Sequence, residues 1–316
     1  MDLKNETISE HHETSSLVMR TINEIRDFYN FCQSFTGSKF LNDELRSRIN
    51  FIRTDPRAKQ WLLMGSPLPI LTILAVYLTM VKYGPVYMHS RKSIQLKWPL
   101  VFYNFGVTLL NGWMAIEVRY NCYAAVHMRN TIHLLHCALQ RNYNFICQLV
   151  DTSDNEFEVR IANAIWWYFF SKLIEFMDTF FFIVRKKTRQ LTFLHVYHHS
   201  TMFAFWWVGA KFVPGGSALP GAMVNCFVHV FMYSYYCFSA FGPHIQRYLW
   251  WKKYLTILQL VQFTTGVVLG LHAIITNCQF TRWMQYVFVC YAFSFIVLFG
   301  NFYRDTYKDC KQQKSK

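Results

Sequence analysis

The sequence predicts an all-α polytopic membrane protein with seven transmembrane helices, and three observations support this fold class. The chain has 316 residues, of which 53% are hydrophobic and only 16% are charged, against about 25% charged residues in ordinary soluble domains. No Asp or Glu occurs between Thr179 and Arg304. The long apolar runs are close to the ~20 residues that a helix needs to cross a bilayer. The abundance of aromatic residues also excludes a disordered chain.

Each apolar run is expected to be a helix, because lipid offers no hydrogen-bond partners to an open backbone. The seven spans are predicted at 61–81, 98–118, 161–184, 191–210, 219–241, 254–276 and 284–303. Pro67 and Pro69 lie in the first run and make its start the least certain boundary.

The distribution of Lys and Arg predicts the orientation of the chain in the membrane. Segments 82–97, 185–190, 242–253 and 304–316 together hold 16 basic residues and two acids. The connections on the other side are short and nearly free of Lys and Arg, or balanced in charge. The C-terminus is therefore predicted to be cytosolic and the N-terminus lumenal. The same asymmetry accounts for the net charge of +14, so this charge does not indicate a nucleic-acid partner.

Three regions are predicted along the chain. Residues 1–60 form a polar lumenal tail without a signal peptide, residues 61–303 form the seven-helix membrane domain, and residues 304–316 form a basic cytosolic tail. An insertion-like, amphipathic segment at about 124–142 lies between the second and third spans.

Ionisable residues inside a span cost at least ~2.5 kcal/mol each, so they are candidates for function. In the third span, Lys172, Glu175, Asp178 and Thr179 are spaced to share one helix face. The alternative is a structural ion pair between packed helices, but two acids and one base leave a charge that needs a further partner.

Three histidines share one face at the start of the fourth span, namely His195, His198 and His199. Imidazole is the side chain best suited to move protons or attack near neutral pH. Three converging imidazoles are also good metal ligands, and an inert structural role is the remaining alternative.

Two further spans carry polar side chains at helical spacing. In the fifth span, Asn225, His229, Met232, Tyr233 and Tyr236 follow one face, a donor-rich strip suited to holding a carbonyl oxygen. A packing surface of aromatic rings is the alternative. In the sixth span, Gln259 and Gln262 are three residues apart, a spacing that also serves helix association.

Together these four clusters resemble the ELO family, the membrane elongases of very-long-chain fatty acids. The family's motifs appear in order as Lys-x-x-Glu-x-x-Asp-Thr at 172–179, His-x-x-His-His at 195–199, Asn-x-x-x-His-x-x-Met-Tyr-x-Tyr-Tyr at 225–236 and Thr-x-x-Gln-x-x-Gln-Phe at 256–263. The resemblance covers roughly residues 55–305. The long N-terminal tail and the inserted residues near 130–141 depart from the family pattern.

The resemblance implies a condensing enzyme that converts acyl-CoA and malonyl-CoA into 3-oxoacyl-CoA, CO2 and CoA, with the acyl chain held in a narrow tunnel between the helices. It implies His198 as the nucleophile that forms an acyl-imidazole, with His229 as its partner. His195 and His199 would orient groups, accept protons or stabilise charge, assisted by Asn225 and by Tyr233 or Tyr236. The supporting polar network comprises Lys172, Glu175, Asp178, Gln259 and Gln262.

The resemblance implies no metal or redox cofactor. The substrates would bring CoA phosphates beside Arg185, Lys186, Lys187 and Arg189, which suit phosphate binding, although topology alone also places cations there. The expected location is the endoplasmic reticulum membrane. The expected partners are membrane lipid and the reductases and dehydratase of the elongation cycle, but not nucleic acid. The sequence leaves open whether two copies of the chain form a homodimer.

Two other classes of protein share part of this pattern. A membrane di-iron desaturase or hydroxylase also uses His-x-x-His-His, but it needs several more histidines, and the other close pair here, His133 and His136, is predicted to be lumenal. A seven-helix receptor has the same helix count but no reason to hold three histidines and three ionisable groups at membrane depth.

The nine cysteines show no zinc-binding spacing. Cys147 and Cys278 both fall on the predicted lumenal side, where oxidation is possible, and are predicted to form a disulfide. Cys122 and Cys137 are competing partners. Cys226 lies off the face that carries Asn225 and His229, so it is not expected to be the nucleophile.

Overall fold

The computed structural model describes residues 54–123 and 146–308, apart from the side chains of 59, 60, 116–123, 157 and 308. The N-terminal tail up to residue 53, the whole insertion-like segment and the end of the C-terminal tail lie outside the described residues. The described residues belong to one compact unit that starts at Thr54.

The described residues form helices and turns. The helices are α1 (Leu68–His89), α2 (Lys97–Tyr123), α3 (Glu156–Ile174), α4 (Phe176–Val184), α5 (Phe193–Phe212), α6 (Ala218–Ala240), the short α7 (Pro243–Gln246), α8 (Lys252–Ile275) and α9 (Arg282–Tyr303). Helices α2, α5, α6, α8 and α9 lie within about five residues of the predicted spans at either end, so an all-helical fold is confirmed. The protein is a membrane protein, but seven crossings stay a prediction.

The first predicted span is wrong in its boundaries. Helix α1 starts seven residues later than predicted and continues to His89, into the predicted loop. Pro67 caps the helix and Pro69 occupies its first turn, where the missing backbone N–H costs nothing. Residues 61–67 are instead held by side chains of other helices, since the Trp166 and Trp207 indoles donate to the carbonyls of Leu62 and Leu63.

The third predicted span is not one continuous helix. Helix α3 ends at Ile174, Glu175 interrupts the helical pattern, and α4 continues to Val184. The Asp178 amide donates to the carbonyl of Glu175, three residues back, which marks a locally tighter turn. The interruption falls at the residue whose carboxylate enters the buried polar network described below.

Among the residues described, three helical segments are long and apolar enough to cross a membrane: α1, α8, and α9 with the turn that extends it to Tyr307. Of the other long helices, α3, α5 and α6 carry the lysine, the histidines and the asparagine of the site. Large apolar side chains cover the outside of the protein, such as Phe102, 69% exposed, and Ile275, 77% exposed. Such a surface suits contact with lipid.

The helices pack in pairs around a shared interior. Helix α2 runs along α6, α8 along α9, α3 against α2 and α5, and α4 against α1. The main core gathers the inner faces of α1, α3, α5, α6 and α9, with Tyr168, Phe169 and Phe203 among its buried side chains. The polar cluster of the site lies within this interior.

The predicted disulfide is present between Cys147 and Cys278. It joins the segment before α3 to the turn between α8 and α9. Beside it, Ser217 exchanges hydrogen bonds with Gln148, and Gly216 adopts a φ of 55°. A Cβ at Gly216 would lie 2.6 Å from the Gln148 carbonyl oxygen, so this close approach requires glycine.

Candidate active site

A buried ion pair stands at the centre of the candidate site. The Lys172 ammonium lies 2.8 Å from Glu175 Oε1, and both side chains are 1% exposed. His229 of α6 places its Nδ1 atom 3.2 Å from the same carboxylate oxygen. Lys172 Nζ also lies 3.5 Å from this Nδ1 atom, but the contact with the carboxylate is shorter. Since a carboxylate only accepts, His229 donates from Nδ1 to Glu175 and keeps the lone pair of Nε2. The second oxygen, Glu175 Oε2, is buried and has no hydrogen-bond partner within the part of the chain described.

The amide of Asn225 is fixed by two donors. The Tyr168 hydroxyl donates to Asn225 Oδ1 at 2.6 Å, and Lys172 Nζ lies 3.4 Å from the same oxygen. An ammonium has no acceptor, so the atom that faces it must be the amide oxygen. The NH2 group of Asn225 therefore points away from this pair and remains a donor for another group. Tyr168 also carries the ammonium 4.5 Å above its ring.

The histidine box faces this cluster from α5. The ring of His198 lies 6.4 Å from that of His229 and 5.2 Å from that of His199. His195 and His199 have their rings 4.3 Å apart. On the other side, His198 packs edge-on against Phe295 of α9. The predicted nucleophile and its predicted partner are thus neighbours, although their residues are 31 positions apart in the sequence.

The remaining residues of the third-span motif contact two different helices. Asp178 accepts a hydrogen bond of 2.7 Å from the Tyr233 hydroxyl of α6. Thr179 Oγ1 lies 2.7 Å from His195 Nε2 of α5. The motif therefore links α3 and α4 to both helices that carry histidines.

Three predicted site residues lie apart from this network. Tyr236 is 40% exposed and meets the site only through the edge of the Tyr233 ring. Gln259 donates to Met232 Sδ at 3.6 Å. Gln262 has a buried oxygen that lacks a hydrogen-bond partner within the described part of the chain. Helix α8 instead approaches the site through Phe263, whose ring stacks on Phe295. The roles of Tyr236 and the two glutamines stay predictions.

The basic loop between α4 and α5 lies beside the histidine box. Lys187 and Arg189 are exposed, and Lys186 donates to the His89 carbonyl at the end of α1. Partial burial lowers the pKa of the Arg185 guanidinium from its usual 12.5, and an arginine remains charged at neutral pH despite such a shift.

Sequence reasoning missed Tyr77, Tyr168 and Phe295, which all contact site residues. Each is an aromatic residue within an apolar run, so no motif marks it.

Among residues 54–123 and 146–308, no three His, Cys, Asp or Glu side chains are grouped as metal ligands. His133 and His136 lie outside the described residues.

Comparison with known proteins identifies the family. Residues 62–315 match the model of the ELO family, described as the GNS1/SUR4 family. The chain belongs to the ELO family. This confirms the resemblance predicted from the four motifs, and the match spans every residue of the site.

Several relatives are similar to this ELO-family chain over most of its length. It is 48% identical over 279 residues to "Very long chain fatty acid elongase 4" of Macaca mulatta, which covers 88% of this chain and 84% of the relative. It is 47% identical over the same shares to the Homo sapiens protein of that name. It is 46% identical over 255 residues, 80% of each chain, to "Very long chain fatty acid elongase 5" of Tachysurus fulvidraco.

Proposed function

We propose that this protein is a very-long-chain fatty acid elongase, a 3-oxoacyl-CoA synthase that condenses acyl-CoA with malonyl-CoA through an acyl group on His198. ELO-family membership and the names of its relatives support the overall reaction. The observation that carries the proposed mechanism is the pairing of His198 with His229, whose Nδ1 is bound by buried Glu175.

Glu175 and His229 form an orienting pair. A carboxylate that accepts from Nδ1 fixes the tautomer of an imidazole, so Nε2 is free to accept a proton. Lys172 keeps Glu175 ionised by its contact of 2.8 Å. In this proposal His229 accepts the proton that His198 loses when it is acylated.

The first half-reaction transfers the acyl group. A ring nitrogen of His198 attacks the thioester carbon of acyl-CoA, a C–N bond forms and the C–S bond breaks. The proton from the other ring nitrogen of His198 passes to His229, and the CoA thiolate leaves and is protonated. The negative charge that develops on the carbonyl oxygen needs a hydrogen-bond donor, and the free NH2 group of buried Asn225 is such a donor.

The second half-reaction forms the new carbon–carbon bond. Malonyl-CoA loses CO2, and the resulting C2 carbanion attacks the acyl carbon. The C–N bond to His198 breaks, 3-oxoacyl-CoA is released, and His229 returns its proton to His198, which restores both neutral imidazoles. The proposed sequence uses no metal or redox cofactor, because the electrons of the new bond come from the lost carboxylate.

The surroundings of the site suit CoA esters in a membrane. Arg185, Lys186, Lys187 and Arg189 would bind the CoA phosphates, and the acyl chain would run between the helices. The proposed location is the endoplasmic reticulum membrane, with the N-terminus lumenal and the C-terminus cytosolic. The proposed partners are lipid, the reductases and dehydratase that process 3-oxoacyl-CoA, and a second copy of the chain, with no role for nucleic acid.

The test is a trapping experiment on purified protein. Incubation with a long-chain acyl-CoA, without malonyl-CoA, should release CoA and add the acyl mass to the peptide that contains His198. Addition of radiolabelled malonyl-CoA should then discharge the acyl group as 3-oxoacyl-CoA. A panel of saturated and polyunsaturated acyl-CoAs would define the chain preference.

Variants separate this mechanism from its alternatives. His198→Ala should abolish both acylation and condensation while the protein still expresses and folds. Cys226→Ala is the matched control, since Cys226 is a buried free thiol on the same helix as His229, and it should keep its activity. An acyl adduct on Cys226, or stoichiometric iron with desaturation of the acyl chain, would overturn the proposal.

A further inference from the structure

A chain of hydroxyl groups connects α1 to the first histidine of the box. The Tyr77 hydroxyl lies 3.1 Å from Thr179 Oγ1, and Thr179 Oγ1 lies 2.7 Å from His195 Nε2. Tyr77 is 2% exposed and Thr179 is fully buried. Helices α1, α4 and α5 therefore meet through two hydrogen bonds, one of which joins residues 102 positions apart.

The direction of these hydrogen bonds follows from counting protons. Tyr77 and Thr179 each have one hydroxyl proton to donate. Among the residues described, Thr179 is the partner that the structure gives to the Tyr77 hydroxyl. Tyr77 therefore donates to Thr179, and Thr179 donates to His195 Nε2. If His195 Nε2 donated instead, the hydroxyl proton of either Thr179 or Tyr77 would have no acceptor among the described residues, at a cost of about 1–3 kcal/mol.

We propose that Tyr77 is a positioning residue for the condensation and that, through Thr179, it holds His195 as the neutral Nδ1–H tautomer. With Nε2 engaged as an acceptor, the free edge of His195 presents an N–H donor and no lone pair. His195 then stabilises negative charge on a substrate oxygen and does not act as a base. This inference rests on the proposed function, because it assigns a role within that reaction.

The packing around the two rings separates this role from a structural one. The Tyr77 ring stacks on Phe176 at 4.1 Å, a contact that does not involve the hydroxyl. The His195 ring is bounded by Phe182 and His199, and its backbone N–H donates to Thr192 Oγ1. Packing thus places the imidazole, and the hydroxyl chain decides which ring nitrogen carries the proton.

The test is a double-mutant cycle on the steady-state condensation kinetics of the full chain. Tyr77→Phe and Thr179→Val should each lower kcat about tenfold, the effect of one orienting hydrogen bond, with KM for malonyl-CoA unchanged. The double variant should be no slower than the slower single variant, because both remove the same chain. Thr179→Ser, which restores the hydroxyl, should recover the wild-type kcat.

A matched control removes a comparable phenol elsewhere. Tyr291 forms a hydroxyl contact of 2.6 Å with Thr201, between α9 and α5. Tyr291→Phe should leave kcat unchanged, and its effect should be independent of Thr179→Val. If Tyr77→Phe does not fold, the comparison of Thr179→Ser with Thr179→Val still decides the question.

The donor role is tested directly at His195. The amide of His195→Asn can place an N–H near the position of Nδ1 but cannot act as a base, so this variant should be faster than His195→Ala. Adding Tyr77→Phe to His195→Asn should change nothing. Independent, multiplying effects of Tyr77→Phe and Thr179→Val, or equal rates for His195→Asn and His195→Ala, would overturn the inference. A wild-type protein without malonyl-CoA-dependent product would instead contradict the proposed function.

Discussion

Removal of the Lys172 ammonium should lower the free energy of unfolding more than removal of the charge of Glu175, its partner in the buried ion pair. In Lys172→Met, the Glu175 carboxylate keeps one contact, the His229 ring at 3.2 Å, while its second oxygen remains buried without a partner. Breaking a buried ion pair from one side typically costs about 3–5 kcal/mol, because an uncompensated charge is left behind. We expect Lys172→Met to fall in this range.

Removal of the Glu175 charge leaves a lysine ammonium that still has two stabilising contacts. In Glu175→Gln, the Lys172 ammonium keeps Asn225 Oδ1 at 3.4 Å and the Tyr168 ring at 4.5 Å. A desolvated cation over an aromatic face is stabilised by up to about 2 kcal/mol. Glu175→Gln should therefore cost about 1–2 kcal/mol less than Lys172→Met. The double variant, which buries no charge, should lie within about 2 kcal/mol of wild type.

The assay is reversible unfolding in mixed micelles of a mild detergent and dodecyl sulfate, followed by tryptophan fluorescence. The matched control is Asp305→Asn, which removes an ion pair with Arg304 in which both side chains are more than 60% exposed. An exposed pair contributes about 0–1 kcal/mol. A loss below about 1 kcal/mol in Lys172→Met, or a double variant whose loss equals the sum of the single losses, would refute this reasoning.

Three further predictions concern other contacts. Replacement of Cys147 and Cys278 by serine should lower the free energy of unfolding by about 2–5 kcal/mol. Reduction of the wild-type disulfide should reproduce this loss. A reduced wild type as stable as the oxidised protein would contradict the prediction. Gly270→Ile should destabilise the α8–α9 pair by about 1–3 kcal/mol, since even a Cβ would lie 2.7 Å from Val289, and Val289→Ala should restore part of the loss. Tyr168→Phe should lower kcat several-fold with KM unchanged, because the amide loses its hydrogen bond of 2.6 Å; steady-state kinetics that match wild type would contradict it.

The helical fold and the centre of the site were predictable from the sequence because both depend on local spacing. Apolar runs gave most of the helix positions, and the motifs placed Lys172, Glu175, His198 and His229 on inward faces. Because each of several spans carried one polar cluster, these clusters were expected to meet in the interior. The structure brings them together.

What the sequence did not reveal depends on contacts between distant segments. Hydropathy could not place the start of α1, because residues 61–67 are as apolar as the membrane-spanning segment that follows them. Their backbone carbonyls instead accept hydrogen bonds from indoles of α3 and α5. Helical spacing put Tyr236 on the same face as His229, yet it is exposed. Tyr77 and Tyr168 each contact the site through one hydroxyl group. No periodic pattern distinguishes such a tyrosine from one that only packs in the core.

The disulfide joins residues 131 positions apart, and the loop between them holds α3 to α8 with all the histidines of the site. During synthesis Cys278 emerges only after every one of those helices has been made. The covalent closure is therefore a late event in biogenesis, and chains that stop before Cys278 cannot form it. An oxidised Cys147–Cys278 pair consequently reports that the whole site-bearing segment has been produced, which makes it a natural chemical marker of maturation in pulse-labelled chains.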